Sequence, residues 1–136
     1  MRYFKNGERP SRAGPPAYFT GAVILDEIIS AQAPARANLA RVTFPPGART
    51  AWHTHPLGQT LHVLAGVCLV QEAGQPAARL QPGDTVWIPP GVKHWHGATA
   101  TTLMTHLALQ EGDDTGKAAD WLEQVSDADY AAAQPA

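Results

Sequence analysis

The chain has 136 residues, 44% hydrophobic and 16% charged, with a formal charge of -2. That suffices for one hydrophobic core but not two, and it excludes a disordered chain. The absence of a Lys/Arg cluster argues against a nucleic-acid partner, and no apolar stretch approaches the roughly 20 residues of a membrane helix.

The first residues, Met1 to Pro10, carry charges with no apolar run behind them. They therefore read as something other than a secretory signal, and a reducing cytoplasm is the expected location. Residues 1–16 are polar and Pro-rich and are expected to wrap the body as an irregular arm.

Short β-type runs follow: Gly21–Ile28, Asn38–Phe44, Thr50–His55, Leu61–Gln71, Ala78–Leu80, Thr85–Ile88, His94–Ala98 and Thr102–Gln110. Turn signals separate them, among them Pro45-Pro46-Gly47, Pro56-Leu57-Gly58 and Gln81-Pro82-Gly83-Asp84. Many short strands with regular turns predict an all-β barrel or sandwich over about residues 21–110. The single cysteine, Cys68, lies in the apolar run Val67–Val70 and reads as a small buried thiol.

The tail changes character. Lys117–Val125 is helix-prone, and Ser126 followed by Asp127 and Asp129 reads as the N-cap of a further short helix, giving a helical tail over 117–133. Trp121 and Leu122 are expected to pin this tail to the barrel as a stabilising lid.

The residues that carry chemistry fall in two runs. The first extends from Gly47 through His53, His55, Pro56 and Gln59 to Gly66. On a strand, His53 and His55 leave the same face about 6.5–7 Å apart. Pro56 biases His55 towards the extended region, and the following turn can fold Gln59 back towards the pair. The second run extends from Gly83 through Pro89 and Gly91 to His94 and His96. Two histidines on one face plus a third from a distant strand is how a barrel builds a transition-metal site. His96 is two residues from His94 and shares its face. The run Leu103–Gln110 alternates Met104, His106, Ala108 and Gln110 on one face with leucines and Thr105 on the other. We place His106 inside; the opposite face, with Leu103, Leu107 and Leu109, then calls for cover by another subunit. His62 reads as a structural or surface residue, Trp52 and Trp95 as packing or interface residues, and Arg49 as an exposed turn arginine.

Both runs match the paired motifs of the cupins in spacing: glycine, five residues, His-x-His, three residues, an acid or amide, six residues, glycine; then glycine, five residues, Pro-x-Gly, two residues, His. The usual Glu of the first motif is Gln59 here, and the usual Asn that ends the second is Ala98. Over about Tyr18 to Tyr130 the chain resembles the small bacterial manganese-dependent cupin hydroxynitrile lyases, which cleave and form (R)-cyanohydrins such as mandelonitrile. The resemblance rests on Ala48–Thr60, Trp87–Ala98, Met104–Gln110 and Asp120-Trp121. It implies a double-stranded β-helix, or jelly-roll, barrel and one divalent metal held by His53, His55, Gln59 and His94. It also implies a pocket including Ala40, Val42, His96, His106 and Gln110. Manganese is expected through the resemblance alone, because N/O sites also accept Fe, Ni, Co and Zn.

Three imidazoles and an amide leave the ion's charge uncompensated, which favours Lewis-acid chemistry over oxygen activation. The expected activity is a lyase with His106 as first candidate base and His96 as second, in a homodimer or homotetramer. An iron- or nickel-dependent dioxygenase and a non-catalytic metal or small-molecule binding protein are the rivals.

Overall fold

The computed structural model describes residues 1–135. In chain order its strands are β1 (Arg12–Ala13), β2 (Phe19–Thr20), β3 (Ile24–Ile29), β4 (Ala37–Phe44), β5 (Arg49–Thr50), β6 (His53–Thr54), β7 (Gln59–Gly66), β8 (Cys68–Glu72), β9 (Ala78–Leu80), β10 (Thr85–Ile88), β11 (His94–Ala98), β12 (Met104–Glu111) and β13 (Asp120–Trp121). One helix among the described residues, α1 (Asp127–Ala132), follows them.

Two antiparallel sheets face each other. The first runs β1-β3-β4-β12-β7-β10; the second runs β13-β6-β11-β5-β2, with β8 pairing β11 and β9. Strands from distant parts of the chain alternate in both, the jelly-roll arrangement that closes a barrel with few free edges. The alternation of β12 holds: Met104, His106 and Ala108 are buried on the core face, whereas Leu103 and Leu109 are exposed on the other. The core between the sheets is apolar, built on Phe44, Leu61, Val63, Ile88 and Met104. A second cluster of Trp52, Leu69, Trp95, Val125 and Tyr130 lies on the far side of the second sheet, so Trp52 and Trp95 are packing residues.

The structure corrects four expectations. The run Leu61–Gln71 is two strands, because the chain turns at Gly66, which sits at φ 73° with the Leu103 carbonyl 1.7 Å from where a Cβ would be. Thr50–His55 is likewise broken into β5 and β6. Lys117–Val125 is not a helix. It runs extended, with β13 pairing β6 (Trp121 opposite His53), and Leu122 N and Trp52 N bond to the carbonyls of Trp52 and Glu123. Tertiary pairing overrides the local helix preference there. The next helix begins where expected: Ser126 caps it by accepting from Asp129 N.

Arg49, finally, is buried on β5. It donates to the Val125 carbonyl at 2.9 Å, pairs with Asp127 at 2.8 Å and lies over the Tyr130 ring. It therefore clamps α1 to the barrel, as does the Tyr130 hydroxyl, which donates to the Ala98 carbonyl at 2.6 Å. Cys68 is buried, and burial pushes its thiol up to about 12, so it is an inert core residue. Among the described residues no helix is long and apolar enough to cross a membrane.

Candidate metal centre

The two motifs meet where β6 lies beside β11, with His53 directly opposite His94. His53 leaves β6, and His55 follows it before the turn. Gly58 completes that turn at φ 80°, its N–H bonding back to the His55 carbonyl at 3.3 Å. Any Cβ there would strike Trp87 and the Ile88 carbonyl. The turn delivers Gln59 as the first residue of β7, its side chain buried beside the imidazoles. The ring centroids of His53 lie 4.9 Å from His55 and 4.2 Å from His94, and those of His55 and His94 are 5.4 Å apart.

Among the histidines, the expected donors and the group whose ring nitrogens converge differ in one member, His55 against His96. His53, His94 and His96 bring ring nitrogens within 4.8 Å of one another, and this group can hold a metal ion. Hydrogen bonding separates the rings differently. His53 Nδ1 faces the Ala51 carbonyl at 2.8 Å, His55 Nδ1 the Ala118 carbonyl at 2.7 Å and His94 Nδ1 the Val92 carbonyl at 2.9 Å. A carbonyl only accepts, so each Nδ1 carries the proton and each Nε2 keeps a free lone pair. This is how metal-binding imidazoles are normally oriented. His96 is different, since its Nδ1 faces His106 Nε2 at 3.0 Å.

A second observation bears on whether a cation fits. His94 Nε2 and Gln59 Oε1 lie 3.3 Å apart. With the His94 proton on Nδ1, both atoms are acceptors. Burial holds the His94 imidazole down at about 4, so Nε2 gains no second proton at neutral pH. Two lone pairs therefore converge, which is unfavourable unless a cation lies between them. Two ligands at right angles on an ion with bonds of roughly 2.1 Å would be about 3 Å apart. His55 Nε2 and His96 Nε2 are likewise buried without a partner. Desolvation also lowers the pKa of His53 and His55, and a neutral imidazole is the form that binds metal. The residues present suit a divalent transition metal.

Beside this group opens a cavity of about 340 Å³. Ala40, Val42, Phe44 and Ala108 form part of its apolar wall, while His53, His55, Gln59, His96, His106 and Gln110 supply polar groups. All the residues expected at the pocket face this cavity. His106 comes from β12 at a register irregularity against β7, between Thr105 and His106; bulges of this kind often re-aim a side chain at a working site. His106 Nδ1 is buried and unpartnered. Burial holds His106 at about 4 and pushes His96 well below the ordinary imidazole value. His62 stays apart, bonded to Thr85 on the outside.

Sequence reasoning missed what the tail does here. Trp121 stacks on His53 (centroids 4.5 Å, 29°) and on Tyr18 (4.5 Å, 13°), and Ala118 supplies the carbonyl that orients His55. Phe44 packs against His106 at 5.3 Å. A backbone carbonyl leaves no trace in residue type, and Trp121 lay in a segment that read as a helix. Its aromatic character marked it as a packing residue, and the resemblance at Asp120-Trp121 was the one further signal.

Comparison with known proteins bears on the family and the fold. The cupin domain family matches residues 40–109. The chain is 56% identical over 130 residues to a protein of Granulicella tundricola named (R)-mandelonitrile lyase, covering 96% of this chain and 98% of that one. A cupin-like protein of Thermotoga maritima superposes with a TM-score of 0.84 at 36% identity, covering 98% of both chains. The polyketide cyclase RemF of Streptomyces resistomycificus superposes with a TM-score of 0.72 over 96% of this chain and 90% of that one, at 15% identity, a likeness of fold alone. Paired motifs, interleaved sheets and these matches lead to one conclusion: the chain belongs to the cupin family.

Proposed function

We propose that this cupin is a metal-dependent lyase that reversibly cleaves (R)-cyanohydrins such as mandelonitrile to an aldehyde and HCN. The observation that carries the reading is the convergence of His94 Nε2 and Gln59 Oε1 at 3.3 Å in a donor set without a carboxylate, beside a cavity that also holds a hydrogen-bonded histidine pair. The 56% identity to a protein named (R)-mandelonitrile lyase supports the substrate class.

We assign His53, His55, Gln59 and His94 as the ligands. His55 is preferred to His96 because its Nδ1 is held by a carbonyl, whereas that of His96 is engaged by His106. Manganese is the proposed ion on the strength of the resemblance; Fe, Ni, Co and Zn suit the same donors. When bound, an ion with only neutral ligands supplies strong Lewis acidity and stabilises negative charge on a substrate oxygen.

The proton work falls to His96 and His106. Each neutral ring has one proton, and one of the two protons lies in the shared bond. If His106 donates through Nε2, its Nδ1 is a bare base, and His96 presents Nε2–H as an acid. The pair therefore offers one acceptor and one donor at once. His106 takes the hydroxyl proton, the C–C bond to the nitrile breaks with its electron pair on cyanide, and His96 returns a proton to make HCN. Both rings end neutral because the shared proton passes from His106 Nε2 to His96 Nδ1; the opposite tautomer that results is reset by proton exchange with solvent or by the reverse reaction. Ala40, Val42 and Ala108 leave room for an aryl group against an apolar wall.

Metal analysis of the purified protein, followed by a mandelonitrile cleavage assay with chiral product analysis of the reverse reaction, tests the proposal. Aldehyde release that chelation abolishes and metal restores is the expected result. Fully loaded protein that leaves mandelonitrile intact but consumes oxygen with a small oxygenated substrate would place it among dioxygenases instead.

A further inference from the structure

A carboxylate can turn either oxygen to a metal, but an amide cannot: rotated by half a turn, Gln59 would present an NH₂ group, which repels a cation and binds nothing. An amide ligand therefore needs something a carboxylate does not, namely a partner that fixes which end faces the ion. The structure shows such a partner. Gln59 Nε2 donates to Gln110 Oε1 at 3.1 Å, while Gln59 Oε1 faces His94 Nε2 at 3.3 Å. Gln110 lies on β12, directly opposite Gln59 on β7, so the ladder itself sets the two side chains together. Gln59 is buried, leaving no bulk water to compensate its NH₂ group if it were turned.

We infer that Gln110 is a positioning residue that locks the amide of Gln59 with its oxygen towards the metal, and so makes a neutral ligand workable where a carboxylate would need no such lock. The inference rests on the reading that Gln59 is a ligand. It assigns Gln110 a role in metal affinity independent of any contact with substrate.

The test is a double-mutant cycle on metal-free protein titrated with manganese(II) chloride by calorimetry. Unfolding midpoints of each metal-free variant are measured alongside, to show that it is folded. Gln110→Met, which keeps length and loses the acceptor, should weaken manganese binding by about 10–100-fold, the usual worth of a group that orients a ligand. Gln110→Glu, which still accepts, should bind at least as tightly as the parent. With Gln59→Glu both oxygens are equivalent, so adding Gln110→Met to it should change affinity by less than about 3-fold. Equal losses from Gln110→Met in both backgrounds, or parent-like binding by the single variant, would overturn the inference. Gln59→Met separates the two readings. If it binds manganese like the parent, Gln59 is not a ligand. If it loses binding while Gln110→Met does not, only the positioning role fails.

Discussion

Acid should unfold the metal-free protein through its buried histidines. His94 and His106 are 1% and 0% exposed, and burial holds both at about 4 against an ordinary value of 6.5. Above pH 6.5 these rings are neutral in both the folded and the unfolded chain, and stability is at its full value. Between pH 6.5 and about 4 the unfolded chain takes up protons that the folded chain refuses, so stability falls as pH falls. Each ring can forfeit about 3 kcal/mol over that window, and about 2 kcal/mol between pH 7 and pH 5. For the two together the loss from pH 7 to pH 5 is about 4 kcal/mol, a large part of the roughly 5–15 kcal/mol that holds a domain folded. His53 and His96, also driven down by burial, add to it. Urea unfolding of chelator-treated protein across this range measures the slope, and His106→Gln, with one buried imidazole fewer, should lose about 2 kcal/mol less. A stability that is flat from pH 7 to pH 5, or that rises, would refute the reasoning.

Two further predictions concern the site. His106→Ala should keep its metal and lose cyanohydrin cleavage by about 10²–10⁴-fold, with the imidazole inflection gone from its pH profile; metal-matched steady-state kinetics against the parent and His96→Ala decide which ring is the base. Trp121→Ala removes the ring stacked on His53. It should weaken manganese binding about 10-fold and shrink the change in tryptophan emission on metal addition, and parent-like values for both would leave Trp121 a packing residue only.

The barrel and the meeting of the candidate donors were legible because their signals are local and rare. His53, His55, Gln59 and His94 fall at fixed offsets around glycines and prolines whose backbone roles follow from residue type, and period-two alternation together with the strand order of the resembled barrel turned His106 inwards. What stayed hidden depends on long-range pairing. Lys117–Val125 has the composition of a helix, yet β6 and Trp52 offered it open backbone groups, and sheet pairing won. Arg49 beside a Pro-Gly turn read as exposed because nothing local announces that Val125, Asp127 and Tyr130 will arrive to cover it. Leu61–Gln71 read as one strand because the close approach of the Leu103 carbonyl to Gly66 is made by a distant segment.

The site straddles the two sheets. His53, His94 and His96 stand on the second sheet, while Ala40 and Val42 on β4 and Ala108 on β12 belong to the first. Substitutions at these small wall positions can enlarge, narrow or reshape the space for a substrate without disturbing the imidazoles carried by the second sheet. A lineage, or an engineer, can therefore explore new substrates one residue at a time while the centre stays assembled. That freedom gives a physical reason why one barrel can be shared by proteins of such different chemistry.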